Sequence, residues 1–269
     1  MNKNEIAAKF TSDSDERLAL CRVQDKYNAC RNGGYMTSTG FLSDRLQILA
    51  QRMLNHLGVT DREYIFDGGF STASRRVLVF LPDYLSHEDA QSEDISTLRF
   101  IRASYYKEYQ LTHRDFLGAL MGDGISRDAV GDILVDEAQR RADIIVTEGI
   151  VDYMLNSFFS AGRARLETLE IQRGELCVPE QKTVIVKDTV ASLRLDGIIS
   201  AALGMSREKA SGAVEKGLVE LNHFPCQKGE KLLSEGDNIT VRGFGKFTLS
   251  TVGSFSKKGR IFIEITRFV

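Results

Sequence analysis

Two basic side chains sit where a helix ordinarily favours acids. In residues 204–222, GMSREKASGAVEKGLVELN, Ser206 is placed to cap a helix, and Arg207 and Lys209 fall in its first turn. The free N–H groups and partial positive charge of such an end favour an anion. Cations there disfavour the helix by a few tenths to about 1 kcal/mol. The pairing therefore predicts a surface that meets a phosphate. Ser206, Arg207 and Lys209 form its centre, and Arg194, Lys216, Asn222, Lys228, Arg242 and Lys246 extend it. The charge distribution agrees. Residues 180–269 carry 14 Lys and Arg against 10 Asp and Glu, whereas the rest carries 21 against 27, within a net charge of −2. From Arg242 onward, six basic residues face one acid, Glu264. A basic module on an acidic chain implies a polyanionic partner.

Other chemistries find less support. Cys21, Cys30, Cys177 and Cys226 are scattered, with no CxxC pair and no histidines clustered near them, so no metal site is expected and the thiols read as reduced. Gly122-Asp123-Gly124 lacks the Lys-Ser/Thr of a P-loop and reads as a helix-ending turn. His113 stands just past Thr112, at an exposed helix start or against RNA. No Ser–His–Asp or Cys–His set can be assembled, so the chain reads as a non-enzyme without catalytic residues or cofactor. It has no run of about 18 apolar residues, and its start, MNKNEIAAKF, lacks a signal-peptide core. A cytoplasmic protein without membrane insertion is the expectation.

The elements that must position these residues form an α+β pattern. Residues 1–70 read as a helical N-terminal region. Leu20, Val23 and Tyr27 stripe a first helix that Gly33-Gly34 can end; Leu42, Leu46, Leu49, Met53 and Leu57 stripe a second, with Gly58 as its stop. Residues 75–171 read as a middle domain, entered by Arg75-Arg76 and the strand VLVFLP. There TLRFIRAS, a helix from Thr112 with Asp115 three residues on, DILVD, ADIIVT, a helix through Met154, and RLETLEI give the order β-α-β-β-α-β. That is the order of the ferredoxin-like fold shared by RNA-recognition motifs. ADIIVT, its third strand, offers no ring on which a base could stack. Residues 172–190 read as a linker. In residues 180–269, Leu195, Ile198, Ile199 and Leu203 stripe a helix closed by Gly204. Ala210, Ala213 and Val214 face inward from the next helix, Gly217 supplies a left-handed exit, and Val219 and Leu221 start a strand. Gly236-Asp237 turns the chain into ITVRG, and GFGKFTLSTV with GRIFIEITRFV forms a final hairpin, Lys257-Lys258-Gly259 at its tip.

Arg194-Leu195-Asp196, Ser206-Arg207, Lys209-Ala210, Gly217-Leu218-Val219, Asn222, Gly236-Asp237 and Val241-Arg242-Gly243 resemble the alpha-L RNA-binding domain of small-subunit ribosomal protein S-four. The resemblance spans about 50 residues and implies that two short helices and their adjoining loop face folded RNA. The turn HFP after Asn222, where many relatives have Gly, implies a different hairpin. Glu208, Glu215 and Glu220 dilute the charge, so shape shares the recognition. HRDFLGALMGDGISRDAVGDI, taken with the helical start and the C-terminal domain, resembles the YlmH family. That implies an RNA-binding factor on rRNA and tRNA, on a large ribosomal subunit that carries stalled peptidyl-tRNA, in ribosome-associated quality control. Its members are often encoded beside cell-division genes, so an adaptor for cell-division proteins is one alternative. Another is an RNA-modifying enzyme whose catalytic part is the middle domain; Arg194-Leu195-Asp196 resembles the RLD of pseudouridine synthases, to which domains like this C-terminal one are often fused. Here GIISAALGMSR follows in place of the synthases' Thr-Ser-Gly, and Asp196 falls within a helix as a structural residue. GMSRE resembles the KMSKS loop of tyrosyl-tRNA synthetases, without a HIGH-like partner.

Overall fold

A computed structural model describes residues 2–106 and 108–268. Met1 and Val269, the ends of the expected N-terminal region and final hairpin, lie outside the described residues. The chain divides into two units, Met1–Pro179 and Glu180–Val269.

The first unit opens with α1 (Lys3–Ala7), α2 (Ser14–Gly33), β1 (Thr37–Ser38), α3 (Asp44–His56), β2 (Tyr64–Asp67), β3 (Val77–Phe80) and α4 (His87–Gln91). Asp13 caps α2 by accepting from the N–H groups of Asp15 and Glu16, and Gly34 ends it at φ 65°. The N-terminal region is not all helical, a correction to the sequence reading. β1 and β2 flank β3 in an antiparallel three-stranded sheet of order β1-β3-β2. Strands of two and four residues leave almost no periodicity; they exist because VLVF, buried along its whole length, pairs on both edges. VLVF thus belongs to this layer and not to the sheet of the middle domain.

Then follow β4 (Leu98–Tyr105), α5 (His113–Gly122), β5 (Val130–Asp136), β6 (Arg141–Thr147), α6 (Val151–Asn156), β7 (Ser160–Ala161) and β8 (Ala164–Ile171). Their sheet runs β5-β6-β4-β8-β7, every neighbouring pair antiparallel. Without the short β7, this is the ferredoxin-like order expected from the sequence. Alternation along β4 divides its side chains. Ile101, Ala103 and Tyr105 pack with Phe116, Leu120, Met154 and Phe158 of the helical side. Leu98 and Phe100 face the other way, with Ile145 of β6, against Phe41, Val77, Val79 and Leu81.

That second face is the one on which RNA-recognition motifs stack bases, and here its centre is closed. Ile145 is fully buried and Phe100 is 5% exposed. Arg75 ties the covering layer down, donating to the carbonyls of Phe41 (3.0 Å), Arg127 (2.9 Å) and Val130 (3.1 Å). Burial, reinforced by the neighbouring Arg127 charge, brings its pKa down to about 10. Residues 173–177, expected as linker, complete the cover. Arg173 grips Asp67 with two hydrogen bonds (2.9 and 2.6 Å) and lies over the Phe100 ring. Arg102 does the same with the buried Asp143 (2.7 and 2.8 Å), which also accepts from the Cys177 N–H. Gly131 marks how closely the layers approach: a Cβ there would lie 2.6 Å from the Phe41 ring and 3.2 Å from Ile145.

The second unit contains β9 (Thr183–Val190), α7 (Leu195–Leu203), α8 (Arg207–Glu215), β10 (Val219–Leu221), β11 (Phe224–Pro225), β12 (Asn238–Val241), β13 (Gly245–Phe255) and β14 (Ile261–Phe268). Its antiparallel sheet runs β11-β10-β12-β13-β14-β9. β9 is a second correction to the linker: TVIVKDTV pairs along its whole length with β14 and forms a sheet edge. Ile198, Ile199, Ala210 and Val214 of the helices meet Phe247, Leu249, Ile263 and Ile265 of the sheet in one core.

If Gly131 is required for the layers to approach, Gly131→Ala should destabilise the first unit by about 1–3 kcal/mol through overpacking against Phe41. Urea denaturation followed by circular dichroism should show a lower midpoint with an unchanged slope.

Candidate nucleic-acid interface

The corner between α7 and α8 is built locally. Gly204 ends α7 at φ 62°, and the Ser200 hydroxyl donates to the Met205 carbonyl (2.7 Å). Ser206 then caps α8 by accepting from the Lys209 N–H (3.3 Å). Ala210, Ala213 and Val214 are buried below it, and Gly217, at φ 69°, turns the chain into β10. Ser206, Arg207 and Lys209 are exposed together at the start of α8.

A buried carboxylate organises the cations around this corner. Asp196, in the first turn of α7, is 4% exposed. Arg194 donates to it from Nε (3.3 Å) and Nη2 (2.8 Å), and Arg207 from Nη2 (3.0 Å). Burial pushes the Asp196 carboxyl up, but the hydrogen bonds and charges of the two arginines outweigh it and hold it below the ordinary aspartate value. The expectation that folding leaves Arg207 unexplained is therefore corrected: Arg207 bridges α8 to α7. Lys209, exposed in the same turn, has no such ion pair among the described residues. Asp196 is thus enclosed by two guanidinium groups.

The turn before β12 brings further charge to the same place. The N–H groups of Leu195 and Asp196 donate to the carbonyls of Lys231 (2.8 Å) and Gly229 (3.0 Å), and the Lys231 N–H donates to the Lys228 carbonyl. Lys228 and Lys231, both exposed, thus lie in the turn that satisfies the start of α7. Lys231 was not singled out by its sequence position; only the pairing of its carbonyl with α7 brings it here. Arg194, Arg207, Lys209, Lys228 and Lys231 stand against Asp196, Glu208 and Glu230, an excess of cations.

The remaining candidates lie elsewhere in the unit. Lys216 is exposed at the C-terminal cap of α8. Arg242 is exposed in the turn after β12, its N–H bound to the Leu218 carbonyl (2.9 Å). Lys246, half-buried, has its ammonium 5.8 Å from the Phe268 ring centre. Asn222 serves the fold. It and His223 take φ 49° and 67° in the two-residue turn between β10 and β11, the type I′ arrangement without glycine. The Asn222 side chain donates to Asp237 (2.8 Å) and accepts from the Asn238 N–H (2.9 Å), which holds that turn against the Gly236 turn.

A carboxyl lowered in the folded state stabilises above its unfolded pKa of about 3.9, and that contribution is lost as the pH falls through the folded value. Asp196→Asn should therefore be less stable than the wild type at pH 7. About 1–2 kcal/mol is expected, because both arginine partners are partly solvated. Melting curves from pH 7 to pH 2 should show the gap closing below about pH 4. A gap that is constant with pH would rule out the charged contact.

The family model described as "Putative RNA-binding domain in YlmH" matches residues 92–175. Cell division protein ylmH from Streptococcus pneumoniae, a solved structure, is 22% identical with a TM-score of 0.48, covering 61% of this chain and 96% of that one. Ribosome-associated protein quality control protein P2 of Bacillus subtilis is 30% identical over 263 residues, 96% of each chain. On this nearly full-length match, the chain belongs to the YlmH family.

Proposed function

We infer that this protein is a non-catalytic, ribosome-associated RNA-binding factor, and that the second unit docks on folded RNA through the α7–α8 corner. The observation that carries the reading is the exposed Lys209 in the first turn of α8, beside two arginines fixed by Asp196. Asp196 orients the guanidinium groups, and their remaining N–H donors can meet phosphate oxygens in a fixed geometry. Lys209 adds a mobile charge at the helix end, and Lys228 and Lys231 continue the basic surface. Three carboxylates lie among these cations, so shape and placed donors share the recognition with net charge.

The ribosomal setting rests on the Bacillus subtilis relative, whose name associates it with ribosomal quality control and whose match runs along nearly the whole chain. Rescue of a large subunit that holds peptidyl-tRNA, with rRNA and tRNA as the bound nucleic acids, is the finer form of this proposal. The RNA-modifying alternative would have the middle domain as its catalytic part; Asp196, held by Arg194 and Arg207, supports a structural role in the second unit.

Binding to purified large ribosomal subunits, measured by co-sedimentation over a salt series, tests the face directly. Affinity should fall linearly in log–log form with salt, in proportion to the phosphates contacted. Lys209→Ala should weaken binding and reduce the slope by about 1. It is a cleaner probe than Arg207→Ala, which also removes a partner of Asp196. An unchanged affinity and slope for Lys209→Ala would place the contact elsewhere.

A further inference from the structure

The cover on the outer face of the ferredoxin-like sheet reaches Leu98, Phe100 and Ile145, so any RNA contact by residues 92–175 needs a surface that it leaves open. Such a surface exists at the far end of β4 and β8. There Tyr106 and Phe159, 58% and 55% exposed, line one cleft of about 490 Å³. Arg165 stands on its wall, and Tyr105 lines it from within. Tyr105 is 7% exposed, and its hydroxyl has no hydrogen-bond partner among the described residues.

Three separate segments meet here. Tyr105 pairs with Leu166 at the end of the β4–β8 ladder, and Tyr106 follows as β4 ends. Phe159 follows α6 and accepts the Leu166 N–H at its carbonyl (2.8 Å). The β7–β8 hairpin turns at Gly162, φ 56°, and sets Arg165 opposite Ser160. Folding ordinarily covers large rings and pairs buried hydroxyls. A cleft with two exposed rings beside a guanidinium is an arrangement that a ligand completes.

The chemistry of the walls selects that ligand. Exposed rings offer π-faces to nucleobases regardless of sequence, and a guanidinium beside them suits a phosphate or a further stack. Glu167, also on the wall, can accept from an exocyclic amino group, and its charge favours a phosphate on the Arg165 side. The bases of an A-form duplex are stacked inside the helix and cannot reach such faces, whereas an unpaired one can. We propose that the Tyr106–Phe159–Arg165 cleft binds an unpaired nucleotide of single-stranded RNA. This site is separate from the α7–α8 corner and does not require it.

The full-length protein is titrated into a fluorescein-labelled ten-nucleotide adenosine RNA, and anisotropy is compared with the same strand annealed to its complement. The single strand should bind more tightly than the duplex. Phe159→Ala and Tyr106→Ala should each weaken its binding by about 5- to 100-fold, the range for loss of one stacked base. Lys209→Ala should leave the Phe159 dependence intact, so failure at the corner and failure at this cleft read out separately. Equal binding by wild type, Phe159→Ala and Tyr106→Ala overturns the proposal, as does equal binding of duplex and single strand. A photo-crosslinking residue at position 159 that traps protein but no RNA would mark a peptide site and overturns it as well.

Discussion

The constraint on which the first unit depends is the second face of its ferredoxin-like sheet. With α5 and α6 on one side, Leu98, Phe100, Leu134 and Ile145 are left facing the other, an apolar surface that water disfavours. The N-terminal layer removes it from water through Phe41, Val77, Val79 and Leu81, and Arg75, Arg102 and Arg173 fasten the edges with charge-assisted hydrogen bonds. The acidic partners of Arg102 and Arg173 are buried, so each pair is matched closely and its remaining acceptors are met by backbone N–H groups. One arrangement thus explains why the first 90 or so residues and the ferredoxin-like elements form a single unit.

The same closure limits where nucleic acid can be met. With the centre of its outer face covered, the sheet leaves open its rims, its helices and the outer side of β8, which directs attention to the end of β4 and the start of β8. The second unit solves a different problem. It has enough apolar residues for one core between two helices and a sheet, and its exposed corner is arranged by the single carboxylate of Asp196. Placing that carboxylate between Arg194 and Arg207 fixes two cations that would otherwise move freely, and it joins the start of α7 to the start of α8.

Much of this was legible in the chain. Gly34, Gly58, Gly204 and Gly217 all take left-handed φ at element ends, as expected where a helix must stop without a Cβ. The β-α-β-β-α-β order followed from long, strongly patterned segments, and its strand pairing agrees. The hidden parts were short or two-sided. β1 and β2 are too brief to carry a period, and VLVF, buried on both faces, carries none, so its partners could not be read. Residues 183–190 follow Gly174 and Pro179 and read as linker; their side chains are largely exposed on an edge, although their backbone pairs fully with β14.

The sequence by itself determined the local rules: where helices begin and end, which stripes are apolar, and that a basic module follows an acidic one. Those properties depend on neighbours a few residues apart. Only the tertiary structure decided which charges are committed and which are free, because Arg207 meets Asp196 across a helix corner and Lys231 reaches α7 through a returning turn. It also decided that the sheet expected to resemble an RNA platform is covered, and that Tyr106 and Phe159, 53 residues apart in sequence, share one cleft. Contacts of that kind depend on how layers pack, and no short spacing in the chain encodes them.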